Sequence, residues 1–405
     1  MTEPHIVGAG VDTFIANVKI ANKWGKPDAT QEVPVELATR LQEWQDLART
    51  QQRPYVTPWQ FQATPLLMML GGSSTWKWVL RNNWTEIKFG ARLHMGMVAK
   101  MRLSSELLWS HSSLPLSLAA MQQFLNRLFG QQMYLQVALV DLCVDLVGLQ
   151  LPTIWEEVFI THALGKRPIS ESSKDRAYYG GRSIETLQFS GHGNPMHSKL
   201  YNKVKEIQQH SPDKVWFHDL WGKRGWDGKA KVWRKEFSIE RAALRDMIID
   251  KDRETRIDSV YDVPKNLKRL WSYCTHDWLR MVVPQPTKNR KRWPTDPIWT
   301  LVQSAFDQYE NQETEAFGPI IRKRKREKNL ERATAAIAGY ASTYAAWDET
   351  TTTEDDISVV FSRLYEGVTQ RLEQRGIDFT AKMQEKRALY SVPRLEQTIS
   401  EEIDV

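Results

Sequence analysis

Hydrophobic positions along the chain change their period several times. After Pro34, Leu37, Leu41, Trp44 and Leu47 follow helical spacing, which predicts a helix opening at Pro34 within a polar, partly helical arm over residues 1–55. The period then drops to two over 75–89 and 95–109. In the second stretch Met97, Ala99, Met101 and Leu103 share one face while Lys100 and Arg102 point the other way, as in a strand. Helical spacing returns over 115–129 through Leu118, Met121, Leu125 and Leu128, and Gly130 ends it. Residues 133–149 read as a strongly apolar strand interrupted by Asp141 and Asp145.

A loop over 164–177 leads to a strand candidate at 178–190. A turn at 191–195 leads to a further strand at 197–205. A Gly- and Trp-rich hairpin at 221–228 precedes a strand at 231–239, and a helix is expected from Glu240. Beyond about residue 250 the pattern is helical, broken by a Pro-rich basic loop at 284–297 and a basic run at 322–326. Strands and helices alternate irregularly, with hairpin signals between strands. That predicts an α+β fold: a mainly antiparallel sheet with flanking helices, followed by a helical C-terminal region. The expected divisions are a helical arm at 1–55, an α+β domain at 56–250, a helical basic region at 251–345, and an acidic linker with a helical tail at 346–405.

Composition narrows the class. A chain of 405 residues is long enough for two or three domains and a full hydrophobic core. Its two cysteines, Cys143 and Cys274, can build neither a disulfide framework nor a Cys-x-x-Cys zinc site, which suits a reducing cytoplasm. The opening MTEPHIVGAG has no basic and apolar leader pattern, and no apolar run is long enough to span a bilayer, so a cytoplasmic, non-membrane protein is expected. The net charge of +6 is a mild basic bias. The 17 tryptophans are abundant, and many adjoin Lys or Arg, as in Trp76-Lys77-Trp78, Trp233-Arg234 and Arg292-Trp293. Such interleaving suits base stacking with phosphate contact, and equally suits strand aromatics beside snorkelling cations.

Two constellations stand out as candidate chemistry. Asp141 and Asp145 lie four apart in an apolar strand, so they project from one face. Burying both without counter-charge is costly, so they must meet a cleft, a cation or a metal. Glu236, within the apolar stretch around Trp233, is a third oxygen donor, and an all-oxygen set suits Mg²⁺ or Mn²⁺. Salt bridges to Arg or Lys on the sheet satisfy the same acids equally well. The second constellation is Tyr178-Tyr179-Gly180-Gly181-Arg182, followed by Lys199, Tyr201 and Lys203 at alternating positions. The Gly pair permits close approach of a ligand, Arg182 can hold a phosphate, and an activated tyrosine can act as a nucleophile. A packed hairpin with solvated cations is the competing reading. No P-loop, His-Glu-x-x-His or Gly-x-Ser-x-Gly motif is present, so ATP hydrolysis by a P-loop is excluded.

These blocks, in this order, resemble the Rep-trans replication initiation factors of rolling-circle plasmids and the related relaxases of integrative conjugative elements. Asp141-Leu142-Cys143-Val144-Asp145 is similar to the family's acidic strand. Tyr178-Tyr179-Gly180-Gly181-Arg182-Ser183, continuing to Leu200-Tyr201-Asn202-Lys203, looks like its tyrosine signature. Trp233-Arg234-Lys235-Glu236 looks like its Trp-Arg-x-Glu strand. The likeness covers about 135–245. Leu139 stands where members often carry Arg, and Lys199 occupies another position often filled by Arg.

The resemblance implies a metal-dependent, site-specific single-strand endonuclease and DNA strand transferase. Tyr178 would attack the scissile phosphate, giving a 5′-phosphotyrosine and a free 3′-OH for rolling-circle replication. Asp141, Asp145 and Glu236 would bind Mg²⁺ or Mn²⁺, and Arg182, Lys203 and Arg234 would stabilise phosphate charge. A conjugative relaxase shares this chemistry, and a non-catalytic DNA-binding regulator is the third reading. DNA is the expected partner, both origin duplex and single strand, with contacts at Lys199, at Lys288, Arg290, Lys291 and Arg292, and at Arg322, Lys323, Arg324, Lys325 and Arg326. A host helicase is a further expected partner. Family members often act as dimers, with the amphipathic C-terminal helices as candidate homodimer contacts.

Overall fold

The computed structural model describes residues 3–22, 24–27, 33–90, 96–111, 113–150, 158–161, 176–180, 183–190, 194–287, 289–323, 330–348, 350–352 and 356–390. Two compact units divide the chain, Met1–Lys323 and Arg324–Val405. The first is built on a large antiparallel sheet with flanking helices and the second is helical, so the α+β class expected from the pattern is the class found.

The chain opens with strand β1 (His5–Ile20), where a helical arm was expected. Its β-branched residues (Ile6, Val7, Val11, Thr13, Ile15, Val18 and Ile20) favour a pleated surface. Helix α1 (Val35–Thr50) follows and buries Leu37, Leu41 and Trp44, leaving Leu47 exposed. Next come β2 (Tyr55–Phe61), β3 (Thr64–Met68), β4 (Trp78–Arg81), β5 (Thr85–Phe89) and β6 (Met97–Leu103). Helix α2 (Leu114–Phe129) ends at Gly130, whose φ of 65° is the left-handed cap that glycine supplies without strain. Then follow β7 (Met133–Val147), β8 (Phe159–Thr161), β9 (Arg176–Gly180), β10 (Ser183–Phe189) and β11 (Met196–Asn202). The single strand expected over 178–190 is therefore a hairpin arm, β9 and β10.

Helices α3 (Lys203–His210) and α4 (Phe217–Gly222) precede β12 (Val232–Glu240) and the short α5 (Arg241–Asp246). Asn202 ends β11 because its side chain accepts from the Lys205 N–H at 3.2 Å, an N-cap that turns the chain into α3. The principal sheet has eleven strands, ordered β2-β3-β4-β5-β6-β1-β7-β12-β11-β10-β9, with every pairing antiparallel. The first strand in the chain thus lies at its centre, between β6 and β7.

One sheet face is covered by a continuous core. Phe61 and Phe89 meet Phe124 and Phe129 of α2, with ring centroids 5.6 and 6.2 Å apart. On the same face Phe237 meets Trp271 and Trp278 edge-on at 5.4 and 5.9 Å. Those tryptophans belong to the helical stretch after residue 250, which also includes α6 (Leu267–Ser272) and α7 (Pro297–Ser304). The core therefore runs on past 250 without the expected boundary there, because β12 and the following helices bury the same apolar surface. The second unit consists of α8 (Leu330–Trp347), α9 (Ile357–Gln374) and α10 (Phe379–Tyr390). No helix among the described residues is long and apolar enough to cross a membrane.

Candidate active site

The opposite face of the sheet carries the polar residues. Asp141, Cys143 and Asp145 share it through the two-residue period of β7, as expected. In register, Ser238, Glu236 and Arg234 of β12 lie opposite them, in that order. The row through Asp145 and Arg234 continues to Tyr201 on β11, Thr186 on β10 and Tyr178 on β9. The row through Cys143 and Glu236 continues to Lys199, Gln188 and Arg176. Antiparallel pairing thus lines up, across five neighbouring strands, residues that lie far apart in sequence.

At the centre, Arg234 is fully buried and held by two carboxylates. Its Nε and Nη2 donate to Oδ1 and Oδ2 of Asp145 at 2.6 and 2.7 Å, and its Nη1 donates to Asp12 Oδ1 at 2.5 Å. Trp221 Nε1 also donates to Asp145 Oδ2, at 2.9 Å. The guanidinium lies over the rings of Phe217 and Trp109, at 4.4 and 5.4 Å from the centroids. Burial opposes its charge, but Asp145 and Asp12 raise the Arg234 pKa well above its usual value. Burial likewise opposes ionisation of Asp12, yet Arg234, Lys214 and Lys203 hold it below the usual carboxylate range.

Asp12 joins this cluster from a bulge in β1, between the paired residues Val11 and Thr13. Sequence reading passed over it because residues 1–55 looked like a polar arm. The signal was present all the same, as an acid inside the apolar stretch Val11–Phe14.

Neighbouring acids are under strain. Burial, then the charges of Glu236 and Asp12, push Asp141 up to about 8 against the hydrogen bonds of Ser238 and Thr13. Burial and Asp12 also raise Glu236, whose Oε2 accepts from the Tyr201 hydroxyl at 3.1 Å. Burial, then Glu236, lifts the Tyr201 phenol well above its ordinary value.

The segment 203–231 closes over part of this face. Phe217 and Trp221 of α4 pack with Val7, Val147, Ile207 and Val232 in a small second core. Within it Lys203 is buried, and its Nζ donates to Glu206 Oε2 at 2.5 Å. Burial, then the charge of Arg234, lowers the Lys203 pKa.

The expected residues thus have distinct fates. Asp145 and Arg234 neutralise each other, so Asp145 is a structural counter-charge where a metal ligand was expected. Arg234 is out of reach of a phosphate, because both edges of its guanidinium are engaged. Lys203 is similarly spent on Glu206. Asp141, Glu236 and Lys199 sit on the face as expected, and Lys199 is half-buried. Tyr178 holds its register position in the shared row, and Arg182 lies outside the described residues.

This donor set does not suit the expected divalent cation. Among the described residues no three His, Cys, Asp or Glu side chains stand together as metal ligands. With Asp145 consumed by Arg234 and Trp221, and Glu236 bonded to Tyr201, the set Asp141–Asp145–Glu236 does not fit a metal, although Oδ1 of Asp141 is buried without a hydrogen-bond partner.

The basic segments divide in the same way. Arg290, Lys291 and Arg292 form an exposed 3₁₀ turn, with Arg290 over the Trp293 ring at 5.3 Å. Arg322 and Lys323 have acidic neighbours, Asp246 and Glu254, each at 3.9 Å, so they are less available to DNA than the charge run suggested. Lys288, Arg324, Lys325 and Arg326 lie outside the described residues.

Comparison with known proteins gives a structural likeness. No protein-family model matches the sequence, and no curated protein does. Among solved structures, the chain is similar to a rolling circle replication initiator protein from Geobacillus stearothermophilus. The likeness has a TM-score of 0.41 and 14% identity, and covers 74% of this chain and 97% of that one.

Proposed function

We propose that the protein initiates rolling-circle DNA replication by nicking one strand, with the Tyr178 hydroxyl as nucleophile. The supporting observation is the alignment of the three sequence blocks on adjacent strands, in a row from Asp145 through Arg234 and Tyr201 to Tyr178. In the proposed step the phenolic oxygen attacks the scissile phosphorus in line. The phenol releases its proton as the new P–O bond forms, the P–O bond to the 3′ oxygen breaks, and that oxygen takes up a proton. The new phosphotyrosine ester conserves the phosphodiester energy, so rejoining needs no ATP.

Within this reading the buried Arg234–Asp145–Asp12 cluster fixes the relative positions of β1, β7 and β12 and does not touch the phosphate. Lys199 and Arg182 are the assigned phosphate-binding cations. Glu236, whose pKa is raised by burial and which is bonded to the Tyr201 hydroxyl, is the proposed proton-exchanging group on this face.

The test is a covalent-adduct assay on supercoiled plasmid carrying the DNA that flanks the protein's own gene. Wild type is expected to relax the plasmid and retain nucleotide mass on the peptide containing Tyr178. The Tyr178→Phe variant is expected to bind DNA and form no adduct. Parallel reactions with Mg²⁺, Mn²⁺ and chelator decide whether a divalent cation takes part. Normal nicking by Tyr178→Phe would remove this tyrosine from the mechanism.

A further inference from the structure

We propose that a cleft on the open face of β4–β6 seats nucleotides of the single strand that flanks the scissile phosphate, an inference that rests on the nicking function proposed above. The cleft measures about 650 Å³ and is lined among others by Arg81, Asn82, Arg102, Lys214 and Trp216. Arg81 ends β4, Glu86 of β5 lies opposite it, and Arg102 of β6 lies opposite Glu86. The three therefore form one cross-strand row on the sheet. Glu86 is paired with Lys88 at 2.8 Å, so the row presents two exposed guanidinium groups; Glu106 and Asp213 also line the cleft, so the positive charge lies in this row and not over the cleft as a whole.

The walls are fixed before any ligand arrives. Asn82 Nδ2 donates to the carbonyls of Phe61 and Thr64 at 3.1 and 3.0 Å, and its Oδ1 accepts from the N–H groups of Trp84 and Thr85. This locks the turn that carries Arg81. Across the cleft, the Trp216 indole stacks on buried Phe217 with centroids 3.9 Å apart and planes 22° apart. A half-exposed ring held in this way is a stacking platform for a base, and the arginines suit the phosphates on either side of it. Lys214 ties the cleft to the candidate active site, since it lines the cleft and its Nζ lies 3.9 Å from Asp12, the partner of Arg234. A strand seated here runs along the same sheet face that carries Glu236 and Lys199.

The experiment is fluorescence anisotropy of a labelled oligothymidylate titrated with the full chain over a range of salt concentrations. Removing two phosphate contacts in an Arg81→Ala/Arg102→Ala variant is expected to weaken binding about tenfold and to flatten the log–log salt slope by about 1.4. Trp216→Ala is expected to weaken binding about fivefold or more with the slope unchanged, because stacking carries no counterion release. Arg81→Lys/Arg102→Lys is expected to restore the slope, and melting curves of all variants should match wild type.

Unchanged affinity in the alanine variants overturns the cleft while leaving nicking intact. Weakened binding in those variants, with no tyrosine adduct in wild type, upholds the cleft and overturns the nicking function. Failure of wild type to bind the oligonucleotide overturns both.

Discussion

Arg234 faces Asp145 across paired strands and donates two parallel hydrogen bonds to its carboxylate, at 2.6 and 2.7 Å, with neither residue exposed to solvent. The third side of the guanidinium is taken by Asp12. The cluster thus joins strands from residues 5–20, 133–147 and 232–240 at the middle of the sheet. Two carboxylates around one guanidinium leave a formal excess of one negative charge, which Lys214 and Lys203 reduce.

Breaking this cluster on one side is expected to be costly. Arg234→Met leaves Asp145 and Asp12 buried without their counter-charge, and a loss of about 3–5 kcal/mol is expected in urea unfolding. Asp145→Asn leaves the arginine half-paired and should also destabilise. Combining the two removes the charges together, so the double variant is expected to be more stable than the sum of the single effects implies. Additive losses would show that the pair is not coupled as its geometry requires.

Asp141 gives the chain a pH dependence of unusual sign. Its pKa is about 8 in the folded protein, against 3.8 when exposed in the unfolded chain. The folded state therefore holds a proton that the unfolded state releases first. The associated stability is complete below about pH 4 and falls as pH rises through 8. Asp141→Asn removes the titration, so its melting temperature should exceed that of wild type at pH 8.5 and match it near pH 4. A constant difference across that range would mean that Asp141 ionises normally in the fold.

Gly8 and Gly10 occupy alternate positions on β1 beneath Trp109, but with different clearances. A Cβ on Gly8 would lie 2.9 Å from a Trp109 ring carbon and 3.3 Å from Asp145 Oδ2, whereas one on Gly10 would lie 3.5 Å from the ring. Trp109 gives way poorly, because its Nε1 donates to the Val11 carbonyl at 2.8 Å. Gly8→Ala is therefore expected to cost about 1–3 kcal/mol, while Gly10→Ala should be close to neutral. Thermal unfolding of the two variants separates them directly.

The same glycines explain why part of the fold was hard to read. Gly8, Gly10 and Asp12 interrupt the alternation of β1, so the central strand of the sheet looked like a polar arm. By contrast, α2 and β12 have unbroken periods and were legible within a residue or two, while the strand expected over 95–109 ends at Leu103 and gives way to a helical turn at Leu107. In the site, the spacing of Asp141 and Asp145 correctly placed both on one face. It did not reveal that Arg234 would neutralise Asp145, because the pairing joins residues 89 apart through the register of β7 and β12. Lys203 was legible as a cation but not as a buried one, since its partner Glu206 depends on the Asn202 cap that starts α3.

The exposed turn Arg290–Arg292 and the neighbouring pair Arg322 and Lys323 make opposite predictions for duplex binding. The first three cations form a compact exposed turn beside Trp293, where a phosphate can approach them and displace counterions. A variant with all three changed to Ala is expected to reduce the magnitude of the log–log salt slope by about 2.7. Arg322 and Lys323 face Asp246 and Glu254, and Arg322 is largely covered. Changing both to Ala should leave the slope within about 0.5 of wild type, because paired cations release few counterions on binding. Filter binding to a duplex of fixed sequence across a salt series measures both slopes. Equal losses in the two variants would mean that the carboxylates yield Arg322 and Lys323 to DNA, and the assignment of the duplex contact to the exposed turn would then fail.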